Sequence, residues 1–157
     1  MKKSIGIFGI FVLLLSTVTL MSSCKKDVSN LPGKWKIVTA TINGDEENDL
    51  KDEWTFYTDG TCKIDCDFDE YFDHTLYDLV TFDGKYVTEG NKKLTINSNR
   101  FNVSENGKYY DMVVYDMDIL LLNKNSMMVS GTIEYYQCLD NVTNKQKSNI
   151  SLSLSKK

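Results

Sequence analysis

The chain is 157 residues long, with 18 basic and 22 acidic side chains and a net charge of −4. That length fits a single domain able to bury close to two-thirds of its chain surface. The acidic balance excludes a nucleic-acid surface, which needs basic stripes, and the scarcity of alanine argues against long helices.

Lys2 and Lys3 precede an apolar run from Ile5 to Met21, followed by Ser22, Ser23 and Cys24. A basic start, a short apolar core and small residues before a cleavage point form a secretory leader. Leu20-Met21-Ser22-Ser23-Cys24 resembles a bacterial lipobox, in which cleavage precedes the cysteine and that cysteine is acylated. A transmembrane anchor is the competing reading, but the run is short for a span of about 20 residues, and Lys25-Lys26-Asp27 follows at once. The expected organisation is a leader over 1–23, a lipidated tether over 24–31 and one domain over 32–157. Without the leader, 16 basic side chains face 22 acidic ones, a net charge of −6. The expected location is the cell envelope, anchored in the outer membrane on its periplasmic or surface face.

Beyond Pro32, turn signals recur at short intervals: Asn43-Gly44, Asp59-Gly60, Asp83-Gly84, Gly90-Asn91 and Asn106-Gly107. Such dipeptides supply the positive φ of tight hairpins. Short strands so spaced predict an all-β sandwich or barrel. The first strand changes phase between Trp35/Ile37 and Ala40/Ile42, which predicts a bulge. Trp54 and Phe56 share a face, as do Cys62, Ile64, Cys66 and Phe68 with Lys63, Asp65 and Asp67 opposite. From Asp67 to Leu79, Phe68, Tyr71, Phe72, Leu76 and Leu79 fit helical spacing, and a long connection with one or two helical turns is expected there. Later rows are Tyr115, Met117, Ile119 and Leu121; then Met127, Val129, Ile133 and Tyr135; then Ile150, Leu152 and Leu154.

Gly33-Lys34-Trp35 opens the first strand, and Trp54 to Thr61 reads strand, Asp-Gly turn, strand. Gly84-Lys85-Tyr86 with Lys93 to Ile96, and Leu120 to Ser130, read as later hairpins. In these motifs the chain resembles the lipocalin-like lipoproteins of Bacteroidetes. The resemblance implies an up-and-down antiparallel β-barrel of about eight strands, with Gly33 and Trp35 closing one end. Animal lipocalins cap that tryptophan with a late arginine. The sole arginine here, Arg100, comes too early for that role.

Chemistry is thinly signalled. Cys62 and Cys66 lie ~13 Å apart along a straight strand, beyond the ~7 Å limit for a bridge. Either pairs with Cys138 if a bulge near Gln137 turns Cys138 inward, with Cys66–Cys138 as the candidate; otherwise all three are buried thiols. Their spacing with His74 matches no common zinc pattern, and residues 65–76 lack the glycine and terminal glutamate of a calcium loop. No metal, cofactor or nucleophile motif is expected, and so no enzyme. An eight-stranded barrel either fills with side chains or holds one small ligand. Tyr115 and Met117 are candidate lining residues, and Tyr71, Phe72, Leu76 and Tyr77 a candidate lid over a small apolar or amphipathic ligand. A filled barrel serving as a protein-interaction or inhibitor module is the alternative. A monomer is expected, with the membrane as partner through its anchor.

Replacing Cys24 by Ser is expected to leave an uncleaved, unacylated precursor. Undiminished labelling of that variant by a fatty-acid probe would refute the lipobox.

Overall fold

A computed structural model describes residues 27–47, 50–72, 79–140 and 142–157. Nine strands follow in chain order: β1 (Gly33–Ile42), β2 (Asp45–Glu47), β3 (Glu53–Phe56), β4 (Thr61–Asp67), β5 (Leu79–Glu89), β6 (Lys93–Ser98), β7 (Tyr109–Leu122), β8 (Ser126–Leu139) and β9 (Val142–Lys156). A single helical turn, α1 (Phe68–Tyr71), follows β4. Each strand from β3 to β9 pairs antiparallel with the next, and β9 returns to pair with β1. The sheet therefore closes on itself as an eight-stranded antiparallel barrel of β1 and β3 to β9. The short β2 pairs with the far half of the same β1 edge that β3 uses.

Alternation sorts the side chains. In β4, Cys62, Ile64 and Cys66 are buried; in β9, Ile150, Leu152 and Leu154 are. The expected bulge in β1 exists: its register with β9 shifts between Ile37 and Thr39, leaving Val38 exposed. A second bulge has no signal in the sequence pattern. Pairing of β7 with β8 shifts between Ile119 and Leu121, so Leu122 and not Leu121 is buried. One extra residue exchanges the two faces of a strand.

Asp83-Gly84 is no turn. Both residues lie inside β5, with Gly84 opposite Cys62 and Ser98. A Cβ on Gly84 would stand 2.6 Å from the Asn97 carbonyl oxygen, so its glycine answers to a close backbone neighbour. Gly131 in β8 is tighter still: a Cβ would meet the Asp116 oxygen at 2.1 Å and the Met117 Cα at 2.7 Å.

Val28–Asn30 forms a 3-10 turn capped by the Asp27 side chain, and Leu31 is buried in the core. This turn lies across the barrel end where β1 begins and β9 finishes. There the Trp35 indole N–H donates to the Leu31 carbonyl at 2.8 Å. The Lys156 ammonium covers the Trp35 ring at 5.1 Å from its centroid and donates to the Asn30 carbonyl at 2.7 Å. Lys156 thus occupies the place over the tryptophan that Arg100 does not reach. Gly33 has φ +129°, and a Cβ there would sit 2.6 Å from the Lys156 Cε. The Gly-x-Trp spacing lets the lysine stem pass two residues before the ring it covers.

Two substitutions test this packing. Gly131→Ala drives a methyl into the backbone of β7 and is expected to cost at least about 2 kcal/mol. Trp35→Ala removes a fully buried ring, at about 3–5 kcal/mol. Urea unfolding of each variant measures the loss, and a wild-type midpoint for either would contradict the packing described.

Candidate functional site

The barrel end opposite Trp35 holds two buried carboxylates, each gripped by tyrosine. Asp52 lies just before β3 and shares the inward parity of Trp54 and Phe56. It is wholly buried. It accepts from the Asp67 N–H at 2.7 Å and from the Tyr71 hydroxyl at 2.7 Å. The Cys66 thiol also reaches it, and the Tyr115 hydroxyl lies 3.6 Å from the Cys66 sulfur. Asp111, near the start of β7, is equally buried. It accepts from the Tyr135 hydroxyl at 2.8 Å, the Asn102 amide at 3.0 Å and the Tyr109 hydroxyl at 3.1 Å.

α1 joins the two clusters. Tyr71 points into the first. Phe72 packs on the Tyr135 ring of the second, with centroids 5.5 Å apart. The Ser148 hydroxyl of β9 donates to the Tyr71 carbonyl. Tyr71 and Phe72 are both buried and form a plug seated in the barrel mouth. Leu76 and Tyr77, the other candidate lid residues, lie outside the described residues, as do Cys24 and His74.

Below the plug the core is apolar. Tyr115 and Met117 are fully buried. Tyr115 packs edge-on against Trp54 at 5.2 Å and tilted against Phe82 at 6.4 Å. Both belong to the buried core cluster. The Trp54 indole N–H is buried with no hydrogen-bond acceptor. The rule that buried donors are partnered makes this an exception.

The thiols are free. Cys62 and Cys66 face the core, while Cys138 is half-buried on the other side of β8 with its sulfur beside the Thr143 hydroxyl. Pairing of β8 with β9 runs without a register shift through Gln137. The bulge that a Cys66–Cys138 or Cys62–Cys138 bridge requires is absent, and neither forms. Burial pushes the Cys62 thiol up to about 12 and Cys66 well above its usual range, which leaves both as unreactive thiols. Among the described residues, no group of three or more His, Cys, Asp or Glu side chains is placed to hold a metal ion.

Burial sets the electrostatics of the plug. It pushes the Asp52 carboxyl up to about 6, against the opposing effect of the Asp67 and Tyr71 hydrogen bonds. Burial, with the Asp52 charge behind it, also raises the Tyr71 hydroxyl far above its ordinary value. Sequence pattern contained the clue to both acids: Asp52 and Asp111 stand at the apolar parity of their strands. An acid at an inward position has to find partners or stay protonated.

No protein-family model matches the chain, and no curated protein matches it. Among solved structures, a lipocalin-like protein from Bacteroides uniformis is similar to it, with 16% identity and a TM-score of 0.44. That match covers 78% of this chain and 97% of the other.

A carboxyl with a raised pKa favours the folded state most when protonated. The Asp52 contribution is therefore full below about pH 4 and is lost as pH climbs through about 6. The shift corresponds to about 3 kcal/mol. In Asp52→Asn an amide oxygen still accepts from Asp67, and its NH2 meets the Tyr71 hydroxyl. The stability of Asp52→Asn relative to wild type is expected to rise by up to about 3 kcal/mol between pH 4 and pH 7. Parallel urea titrations at the two pH values measure it, and a difference that does not change with pH would refute the assignment.

Proposed function

We propose that this chain is a lipid-anchored, lipocalin-like binding protein of the cell envelope with no enzymatic activity. Its ligand is a small apolar or amphipathic molecule, taken up at the barrel end that Tyr71 and Phe72 plug. One observation carries this reading: the plug sits on a single helical turn over a layer that is part ring and part hydroxyl. The rings offer apolar contact, and the hydroxyls of Tyr71, Tyr109 and Tyr135 offer hydrogen bonds to a polar head. Such a mixture of apolar lining with a few convergent polar groups suits small-molecule binding. A bound ligand displaces the two rings, and the acceptor-free N–H of Trp54 lies in the layer beneath. The connections at this end are strongly acidic, which disfavours anions at the entrance.

A second reading, a filled barrel acting through its outer surface on a protein, is favoured by the complete burial of Tyr115 and Met117. Dye binding separates the two. Under the first, a cationic hydrophobic dye binds more tightly than an anionic one, and Phe72→Ala tightens both by opening the mouth. Binding by neither wild type nor variant would overturn the first reading in favour of the second. An anionic preference would overturn the acidic entrance.

A further inference from the structure

The charge of this chain is divided along the barrel axis. Among the described residues, the segments at the plugged end, 43–47, 50–52, 68–72, 99–108 and residue 140, hold eight acidic side chains and three basic ones. The turns at the Trp35 end, residues 57–60, 90–92 and 123–125, hold Asp59, Lys92 and Lys124. Asp59 is committed to its own turn, where it accepts from the Thr61 N–H at 2.9 Å and the Thr61 hydroxyl at 2.7 Å. Asp27 is similarly spent on the Ser29 N–H at 3.0 Å. Lys92 and Lys124 are exposed. Tyr57, in the same set of turns, is 47% exposed.

The chain enters the barrel between these two lysines. The Asp27 N–H donates to the Leu122 carbonyl at 3.3 Å, beside the turn that carries Lys124. The Val28 N–H donates to the Asn91 side chain at 3.4 Å, beside Lys92. Only Lys25 and Lys26 separate Asp27 from Cys24, so fully extended chain brings the cysteine to ~11 Å from Asp27 at most. An acyl group on Cys24 therefore holds this end of the barrel within about a Debye length of the lipid headgroups, where fixed charges are felt.

We propose that the Trp35 end of the barrel docks on an anionic lipid surface, with Lys92 and Lys124 on its headgroups and Tyr57 at the interface. The surface attracts this end and repels the acidic one, so the barrel stands upright with its plugged mouth turned away from the bilayer. The proposal rests on the Cys24 anchor for its geometry and on the charge division for its sign. A tyrosine ring suits the boundary between water and lipid, and a lysine near an anionic surface contributes about fivefold in binding.

The test uses the full chain from a membrane preparation, reconstituted into vesicles of phosphatidylcholine alone or with roughly a third phosphatidylglycerol, the charge density at which basic residues are felt. A lysine-acetylating reagent that does not cross membranes reports exposure, read by mass spectrometry. Lys92 and Lys124 are expected to react about fivefold more slowly on the anionic vesicles, with Lys51 and Lys108 at the far end unchanged. About 1 M salt should remove the difference. The double variant Lys92→Glu/Lys124→Glu, in exposed turns outside the core, should lose composition dependence at its remaining lysines. Flotation distinguishes this proposal from the anchor. Flotation on both compositions with identical footprints keeps the anchor and overturns the docking face. Flotation on anionic vesicles only, with Lys92 and Lys124 protected, keeps the face and overturns the anchor. Flotation on neither, or protection of Lys51 and Lys108 instead, overturns the face.

Discussion

Pairing of β1 with β9 is the constraint on which the rest of this molecule depends. Without it the sheet has two open edges and its inner face is half solvated. With it every barrel strand has a neighbour on both sides, and edges disappear. Closure asks β1 to follow a tightly curved path, and the bulge at Val38 supplies the bend. It also brings Lys156 from the last strand over Trp35 in the first. Thus a main-chain ladder, a ring, an ammonium group and the Leu31 and Asn30 carbonyls together seal one end. A side chain at Gly33 would meet the lysine stem and would have to adopt a φ of +129°, which L residues rarely do.

How far the sequence foretold this can be argued from single strands. Where a strand is regular, as in β4 and β9, alternation named the buried residues correctly. The break in β1 was visible because Trp35 and Ile37 are odd while Ala40 and Ile42 are even. The bulge at Leu120 was invisible because Leu120, Leu121 and Leu122 are one residue type, and identical residues carry no phase. Gly84 looked like a turn because a glycine beside an aspartate usually is one; whether it is spared a Cβ for φ or for a close neighbour depends on the partner strand. Arg100 comes too early in the chain to cover the tryptophan. Nothing local in the sequence marks Lys156 as lying over a ring more than a hundred residues earlier.

The candidate site divides in the same way. Sequence marks Tyr71 and Phe72 as lid candidates in a long connection but gives no direction for their rings. Their direction follows from Asp52, whose burial only makes sense once Tyr71 and the Asp67 amide are seen to hold it. Asp111 and Tyr135 repeat the arrangement on the opposite wall. Two acid–tyrosine pairs under one helical turn make this end of the barrel polar inside, whereas the Trp35 end is sealed by rings and main-chain carbonyls. The two ends therefore differ in chemistry as well as in charge.

Closure by the first and last strands also governs the order of events as the chain is made. Ile42 pairs with Ile150 and Trp35 with Lys156, so no partial chain short of β9 can complete the ladder. Until then β1 carries an unpaired edge, the kind that pairs promiscuously with other chains. Contacts this distant in sequence also form slowly, since the entropy of closing the long loop is lost before any pairing rewards it. A nascent form of this protein has to be kept apart from its own copies until the fifteen-residue strand β9 is available. Truncation at the C-terminus, even by one strand, turns a closed barrel into an open sheet with two adhesive edges.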